Sequence, residues 1–210
     1  MKLSKTRRLI FVILFTALSV FVSSAQSKSS PVQFHLRAGM GPFLESGTYK
    51  DRVGLAVRLS AGVEMKLAEN WSVLAGAGIR EQISDIAHFL WVGSDPDGLG
   101  GVDVHFAARY RINAGNSAFI LGLGPQVTFV TEHDTYYVDH DPNDPIDGQR
   151  KFLPTDYGIQ PSIYYELGKH WEFGVEGCIG LRNMRIQYPE HHRTGTTRMH
   201  TILFVAGFRF

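Results

Sequence analysis

Apolar and polar residues alternate along most of this chain with a period of two. The pattern runs to the last residue in the terminal stretch 198–210, RMHTILFVAGFRF. Counting back from Phe210, every second residue is apolar (Phe208, Ala206, Phe204 and Ile202), and a mixed set lies between them. Successive side chains of a β-strand point to opposite faces, so this period predicts a final strand with one apolar face.

The same period predicts seven further strands and therefore an all-β chain. The clearest is 54–67, where alternation persists over fourteen residues, which a helix does not maintain. The segments 65–71 and 165–171 share a Leu, three turn residues and a Trp, a repetition that fits successive hairpins of an up-and-down barrel or common hairpin chemistry. The eight predicted strands are 33–44, 54–67, 71–82, 102–112, 118–131, 155–167, 171–182 and 198–210.

The predicted connections alternate in length. Short turns (68–70, 113–117 and 168–170) follow strands two, four and six, whereas longer loops (45–53, 83–101, 132–154 and 183–197) follow strands one, three, five and seven. An even number of strands with this asymmetry is typical of bacterial membrane barrels. We therefore predict an eight-stranded antiparallel up-and-down transmembrane β-barrel. A soluble lipocalin-like binder of a small ligand is the alternative, although the early Gly-x-Trp typical of lipocalins is lacking.

The first 25 residues have the composition of a secretory signal peptide. A basic start precedes an apolar run over 9–22, and Ser23-Ser24-Ala25 supplies small residues for cleavage before Gln26. The predicted mature domain is 26–210. Cleavage removes four of the 21 Lys and Arg residues and none of the 20 Asp and Glu residues, so the net charge changes from +1 to −3.

Composition excludes several classes of protein. A near-neutral mature chain without a basic run argues against nucleic-acid binding. The single cysteine, Cys178, excludes an intramolecular disulfide framework. The mature chain contains no run of 18 apolar residues that could form a transmembrane helix.

The two faces of the predicted strands differ in charge. The more apolar face has almost no charge apart from Arg198 and His200 near one end. A charge facing hydrocarbon costs about 2–4 kcal/mol at mid-depth, so the charged face is expected to line the lumen. Paired charges would then plug the lumen, with a gated small-ion path as the alternative. The predicted lumen charges are Arg37, Arg58, Glu64, Lys66, Arg80, Asp103, Arg109, Arg111, Glu166, Glu172, Glu176, Arg182 and Arg209.

Two of these carboxylates are expected to face each other. If Leu167 pairs with Trp171 across the turn, Glu166 lies opposite Glu172 on the lumen face. Two close carboxylates require a cation or a shared proton. Arg209 or Lys66 is expected to supply the cation.

Aromatic residues collect at the predicted turn end, where an interfacial girdle would lie: Phe34, Trp71, Phe119, Trp171 and Phe210. With its aromatic terminal strand, the mature chain resembles small eight-stranded outer-membrane barrels of the OmpA transmembrane-domain and PorT-like type. The resemblance rests on architecture and the last strand, without a subfamily motif. Because the chain ends on strand eight, no periplasmic peptidoglycan-binding domain is expected.

The resemblance implies a protein of the bacterial outer membrane that contacts its lipid and has both termini in the periplasm. It also implies a structural, surface-interaction or secretion and transport accessory role. Aromatic residues of the last strand, Phe204, Phe208 and Phe210, would then signal to the barrel-assembly machinery. A surface or secretion-complex partner would contact the loops 83–101 and 132–154.

Candidate chemistry in the loops is weak. The segment 139–144 lacks the Gly and the closing Glu of an EF-hand loop, so no metal site and no cofactor are assigned. An enzyme that modifies lipid A, as a hydrolase or acyltransferase, is the alternative function. Its nearest residues are His192-Arg193-Thr194 and His200-Thr201, but no nucleophile elbow is found, so no catalytic residue is assigned and an enzyme is not expected.

Overall fold

The computed structural model describes residues 32–47, 52–83, 98–133, 155–184 and 196–210. They form eight antiparallel strands that close into one barrel, in which each strand pairs with its sequence neighbours and β8 returns to β1. Within this part of the chain, no helix is long and apolar enough to cross a bilayer. The strands are β1 Val32–Gly47, β2 Arg52–Lys66, β3 Trp71–Ile83, β4 Gly98–Ala114, β5 Ser117–His133, β6 Thr155–Leu167, β7 Trp171–Gly180 and β8 Thr197–Arg209.

The predicted fold class and strand order are confirmed, whereas several strand ends differ. β4 begins at Gly98 instead of Val102, and its first residues pair with the end of β3. Three of these four residues, Gly98, Gly100 and Gly101, are glycines with low β-propensity, so the pattern placed them in a loop. β7 ends at Gly180, two residues earlier than predicted. The predicted signal peptide lies outside the described residues and stays a prediction.

The strands are staggered around the barrel. Stepping from His35 on β1 to its paired residue on β2, and so on from strand to strand, leads to Gly180 on β7. The carbonyl oxygen of Met199 on β8 lies beside Gly180. Met199 pairs with Glu45, so this row of paired residues returns to β1 ten residues away from His35. Such a stagger requires strands that tilt by roughly 40° to the barrel axis. An eight-stranded barrel of this kind has an interior that side chains just fill.

The outer wall is apolar and the inner wall is charged. Met40, Leu123 and Phe204 point outward and are 57%, 57% and 63% exposed, whereas Glu172 and Asp103 point inward and are 0% exposed. A soluble barrel has the opposite arrangement, because its apolar side chains must be removed from water. The outer wall is therefore the surface that lipid covers, and the predicted inversion of the faces is confirmed.

A charge on the outer wall should destabilise the barrel according to its depth. We expect Leu123→Arg, near the middle of the apolar band, to lower the free energy of unfolding from lipid bilayers by about 2–4 kcal/mol. The matched variant Val53→Arg places the same charge at the loop end, on a side chain that is 68% exposed, and should cost no more than about 1 kcal/mol. Denaturant titration of the reconstituted protein measures both values, and equal costs would contradict the assigned lipid-facing band.

Candidate functional site: the charged lumen

Strand alternation brings charges from seven of the eight strands into the lumen. Inward positions of β1, β2, β4 and β7 supply a connected set that we call the lumen network. Each of its members is at most 9% exposed, so water hardly screens these charges. The network consists of Arg37, Arg58, Glu64, Asp103, Arg109, Glu172 and Glu176.

Glu172 joins two sides of the network. Its carboxylate accepts hydrogen bonds from Nε of Arg37 and, at 3.0 Å, from Nη2 of Arg109. Arg109 also donates to Glu64, which accepts a further hydrogen bond from the hydroxyl of Ser72. Since the Glu172 side chain is fully buried, these partners replace the hydration that its charge loses.

Glu176 joins the network to the opposite wall. It accepts hydrogen bonds from Nη1 of Arg58, from the hydroxyl of Tyr164 and, at 2.8 Å, from Nε2 of Gln160. Arg58 continues to Asp103, with 2.5 Å between Nη2 and Oδ2. Nη1 of Arg37 lies 3.6 Å from Oε1 of Glu176, so a continuous chain of charged contacts crosses the barrel.

Tyr164 packs between two of the cations. The guanidinium carbons of Arg37 and Arg109 lie 4.7 Å and 5.3 Å from its ring centroid. Cation–π contact of this kind is strongest where water is excluded. Tyr164 thus orients the two arginines while its hydroxyl donates to Glu176.

Tyr164 and the inward histidines His35 and His105 were not among the predicted lumen residues. His35 faces two carboxylates, with Nε2 2.7 Å from Glu64 and Nδ1 3.3 Å from Glu172. Nη2 of Arg37 also lies 3.4 Å from Nδ1, so the His35 ring contacts three charged groups of the lumen network. Strand alternation could have identified both residues, since His35 and Tyr164 occupy the same inward face of their strands as the predicted charges.

The two facing glutamates lie as the register predicts, and arginines separate their charges. Glu166 pairs with Glu172 across β6 and β7. Arg209 contacts Glu166 at 2.7 Å, and Arg111 contacts it through both terminal nitrogens at 2.5 Å. Lys66, the other expected cation, instead lies exposed at the turn end.

Two further predicted lumen charges lie toward the loop end. Arg80 is 6% exposed and points inward from β3. Arg182 differs from the prediction, because β7 ends at Gly180 and its side chain is half-buried at the rim. Its Nη1 donates to the carbonyl of Thr155 at 2.7 Å, and its guanidinium lies 5.9 Å from the ring of Tyr157, an outward residue.

The two ends of the lumen differ. Toward the loop end, Phe43, Met184 and Met199 are at most 5% exposed and form part of an apolar cluster inside the barrel. At the turn end, a cavity of about 310 Å³ opens between polar and apolar side chains, including Glu64, Glu69, Trp71 and Arg111. The lumen network lies between these two regions.

The predicted girdle residues lie on the outer wall at the turn end. Trp71 packs against Tyr110 with 4.9 Å between ring centroids, and Phe119 packs against Tyr165 at 5.2 Å. Phe208 contacts both Trp171 and Phe210 at 5.0 Å. Phe34 and Phe204 also point outward from β1 and β8. Their role as a girdle and assembly signal stays a prediction.

The candidate metal and catalytic residues have no assembled site in the described ranges. No group of three His, Cys, Asp or Glu side chains there could hold a metal ion. The Asp- and His-rich parts of 83–101, 132–154 and 183–197 lie mostly outside the described residues, as does His192-Arg193-Thr194. His200 and Thr201 are described, but they occupy opposite faces of β8 and share no site.

Removal of one network carboxylate should leave buried cations unpaired. We expect Glu172→Gln to lower the free energy of unfolding by about 3–5 kcal/mol, because Arg37 and Arg109 lose a charged partner. Glu69→Gln removes a carboxylate from an exposed turn and should change stability by less than about 0.5 kcal/mol. Urea titration in the same lipid compares the two. A cost for Glu172→Gln as small as that for Glu69→Gln would contradict the electrostatic role.

Comparison with known proteins identifies related architecture only. No protein-family model and no curated protein matches the chain. Among solved structures, the chain is similar to Neisserial surface protein A, with 11% identity, a TM-score of 0.49, and coverage of 84% of this chain and 95% of that one.

Two further structures show a similar level of likeness. For Ail, the attachment invasion locus protein of Yersinia pestis, the identity is 9% and the TM-score 0.47, with 85% of this chain and 98% of that chain covered. For the outer membrane protein OprG from Pseudomonas aeruginosa, the identity is 12% and the TM-score 0.45, with 85% of this chain and 95% of that chain covered. These neighbours are small outer-membrane barrels, and at such identities the similarity concerns the fold alone.

Proposed function

We propose that this protein is an integral protein of the bacterial outer membrane, with a structural, surface-interaction or secretion and transport accessory role. The observation that carries the proposal is the inverted barrel, with an apolar outer wall and a buried charged lumen. With eight antiparallel strands, β1 begins and β8 ends at the same end of the barrel, which supports termini on one side of the membrane. Together with the signal-peptide composition of residues 1–25, this supports termini in the periplasm.

The lumen in this proposal is a plug. Arg37, Arg58 and Arg109 extend from the barrel wall and meet carboxylates of other strands, which supports a cross-section filled by paired charges. Moving an ion through this layer requires separation of several buried pairs, each of which is costly to break. The apolar cluster around Phe43 and Met184 adds a second barrier toward the loop end.

Partner recognition is therefore proposed at the loop end. The longer connections leave the barrel there, and β4 and β5 extend to Gly98 and His133 at the bases of two of them. A surface or secretion-complex partner would contact 83–101 and 132–154. The barrel-assembly machinery is the proposed partner of β8 during insertion, through its outward aromatic residues.

The alternative functions have less support. A lipocalin-like binder needs an apolar interior, whereas this lumen has buried arginines and glutamates in its middle. A lipid A-modifying enzyme needs a nucleophile and a base within hydrogen-bond reach, and β8 separates His200 from Thr201. We propose no catalytic residue.

Membrane insertion is tested by gel mobility in SDS with and without boiling. We expect the protein in the outer-membrane fraction and a shift in its band on heating, because a closed barrel resists SDS until its hydrogen bonds break. The unprocessed precursor serves as a marker for signal-peptide cleavage. A detergent-free periplasmic protein without a mobility shift would overturn the proposal.

Planar-bilayer recording tests the plug. We expect no stepwise ionic current from the inserted wild-type protein, because paired charges close the lumen. A channel-forming porin in the same bilayer controls for sensitivity, and heat-dependent mobility of the same sample establishes that the barrel is folded. Reproducible current steps from the wild-type protein would contradict a plugged lumen and support the gated small-ion path.

A further inference from the structure

The outer wall carries very few charges, and the cations among them lie together. Among the outward strand positions whose side chains are described, the charged residue types are Glu81 on β3 and Arg198 and His200 on β8. Arg182 reaches the same surface after the end of β7. The other outward positions are almost all apolar, so this patch is a local exception.

Arg182 is fixed beside β8 by neighbouring backbone contacts. Leu181 N–H donates to the Tyr157 carbonyl at 3.0 Å, which continues the pairing of β6 with β7. Met184 N–H donates to the Thr197 carbonyl at 2.8 Å. Thr197 N–H in turn donates to Oδ1 of Asn183 at 2.8 Å. These contacts place the segment 181–184 against the first residues of β8.

The same contacts bring the cations of the two strands together. Arg198 follows Thr197 directly and is exposed, and His200 lies two residues further along the same face. His200 pairs with Ile179, so Leu181, the first outward residue after β7, lies beside Arg198, and Arg182 follows it. The guanidinium of Arg182 lies over Tyr157 on β6, whereas Arg198 and His200 lie on β8. Because neighbouring strands are about 5 Å apart, the three cations lie along about 10 Å of one rim.

The depth of this rim patch, defined as Arg182, Arg198 and His200, suits a lipid headgroup. His200 is eight residues from Phe208, which lies among the turn-end aromatic residues. With a rise of about 3.3 Å per residue and a tilt of about 40°, the distance along the membrane normal is about 20 Å. The apolar band of such barrels is about 25 Å tall, so the patch lies near the opposite interface.

We propose that the rim patch binds the phosphate group of a lipid in the leaflet at the loop end. Arginine guanidinium groups match phosphate oxygens by paired N–H donors, and basic residues at a membrane surface attract anionic lipid. The ring of Tyr157 lies beneath the Arg182 guanidinium and the Thr155 carbonyl holds it, so Arg182 is already oriented at the interface. Glu81 lies on β3, three strands from β8, and its negative charge disfavours phosphate there.

This inference rests on the proposed membrane location, and the experiment separates the two. Native mass spectrometry of the detergent-solubilised full chain would count adducts of phosphatidic acid and of phosphatidylcholine, after heat-dependent mobility has verified the folded barrel. We expect preferential phosphatidic acid adducts for the wild type. The double variant Arg182→Gln/Arg198→Gln should weaken their binding by on the order of 25-fold, about fivefold per arginine.

The lysine control variant removes the same number of positive charges as the arginine double variant, but at the other end of the barrel. Lys66→Gln/Lys169→Gln removes two exposed cations at the turn end and should retain phosphatidic acid binding, and so should Glu81→Gln. Equal weakening in the lysine variant would show a general charge effect and overturn the rim site. Full displacement of the lipid by millimolar inorganic phosphate would show a site for free phosphate and overturn it as well. Loss of the mobility shift in the wild type would instead reject the membrane barrel itself.

Discussion

Satisfaction of backbone hydrogen bonds in an apolar surrounding is the constraint on which this structure depends. A sheet with free edges would leave N–H and C=O groups unpaired in lipid, so β8 must return to β1. Closure over eight strands with a ten-residue stagger sets the tilt of the strands and the narrow interior. The ladder between β6 and β7 is interrupted between Ile159 and Ser162, where Pro161 has no N–H. Pro161 occupies an outward position, as do Pro42 and Pro125 in the other described strands that contain proline, and each interrupted ladder resumes within a few residues.

The narrow interior determines how its charges are arranged. Some inward glycines leave space that a neighbouring lumen side chain occupies. A Cβ atom at Gly207 would lie 2.7 Å from Cγ of Glu172, and one at Gly76 would lie 2.5 Å from the ring of His105. The absence of a side chain at these inner-wall glycines therefore leaves room for a neighbouring polar side chain. Because these charges lose their hydration, each must meet a partner from another strand, and the ion pairs cross the barrel between strands that are distant in sequence.

Much of the fold was predictable because it follows from one property, the alternation of successive side chains between the two faces of a strand. We call this property parity. Parity assigned the inward face of every strand, and the turn from Leu167 to Trp171 fixed Glu166 opposite Glu172. The identity of the ion pairs was not predictable, because it depends on stagger around the closed barrel as well as on pairing within hairpins. Lys66 and Arg182 have inward parity but lie where strands end, so parity no longer constrains them. Tyr164 and His35 were not predicted as site residues because formal charge does not identify them. In the structure, Tyr164 contacts two arginines through its ring, and the His35 imidazole lies between two carboxylates.

The proposed lumen plug would limit where this barrel interacts with other molecules. In that proposal a partner or solute reaches the middle of the interior by displacing paired charges, and Glu172 alone has three cationic or imidazole partners there. The turn end offers a cavity of about 310 Å³, whose exposed Lys66 and Glu69 remain in water. The loop end has an apolar interior cluster below the bases of the long connections and cations on its outer rim. With the middle of the lumen occupied, recognition in the proposed function would use surfaces at the two ends of the barrel. Among the described residues, the loop end combines the bases of the long connections with cations on its outer rim. This asymmetry is the reason that we propose a scaffold with its specificity at the loop end.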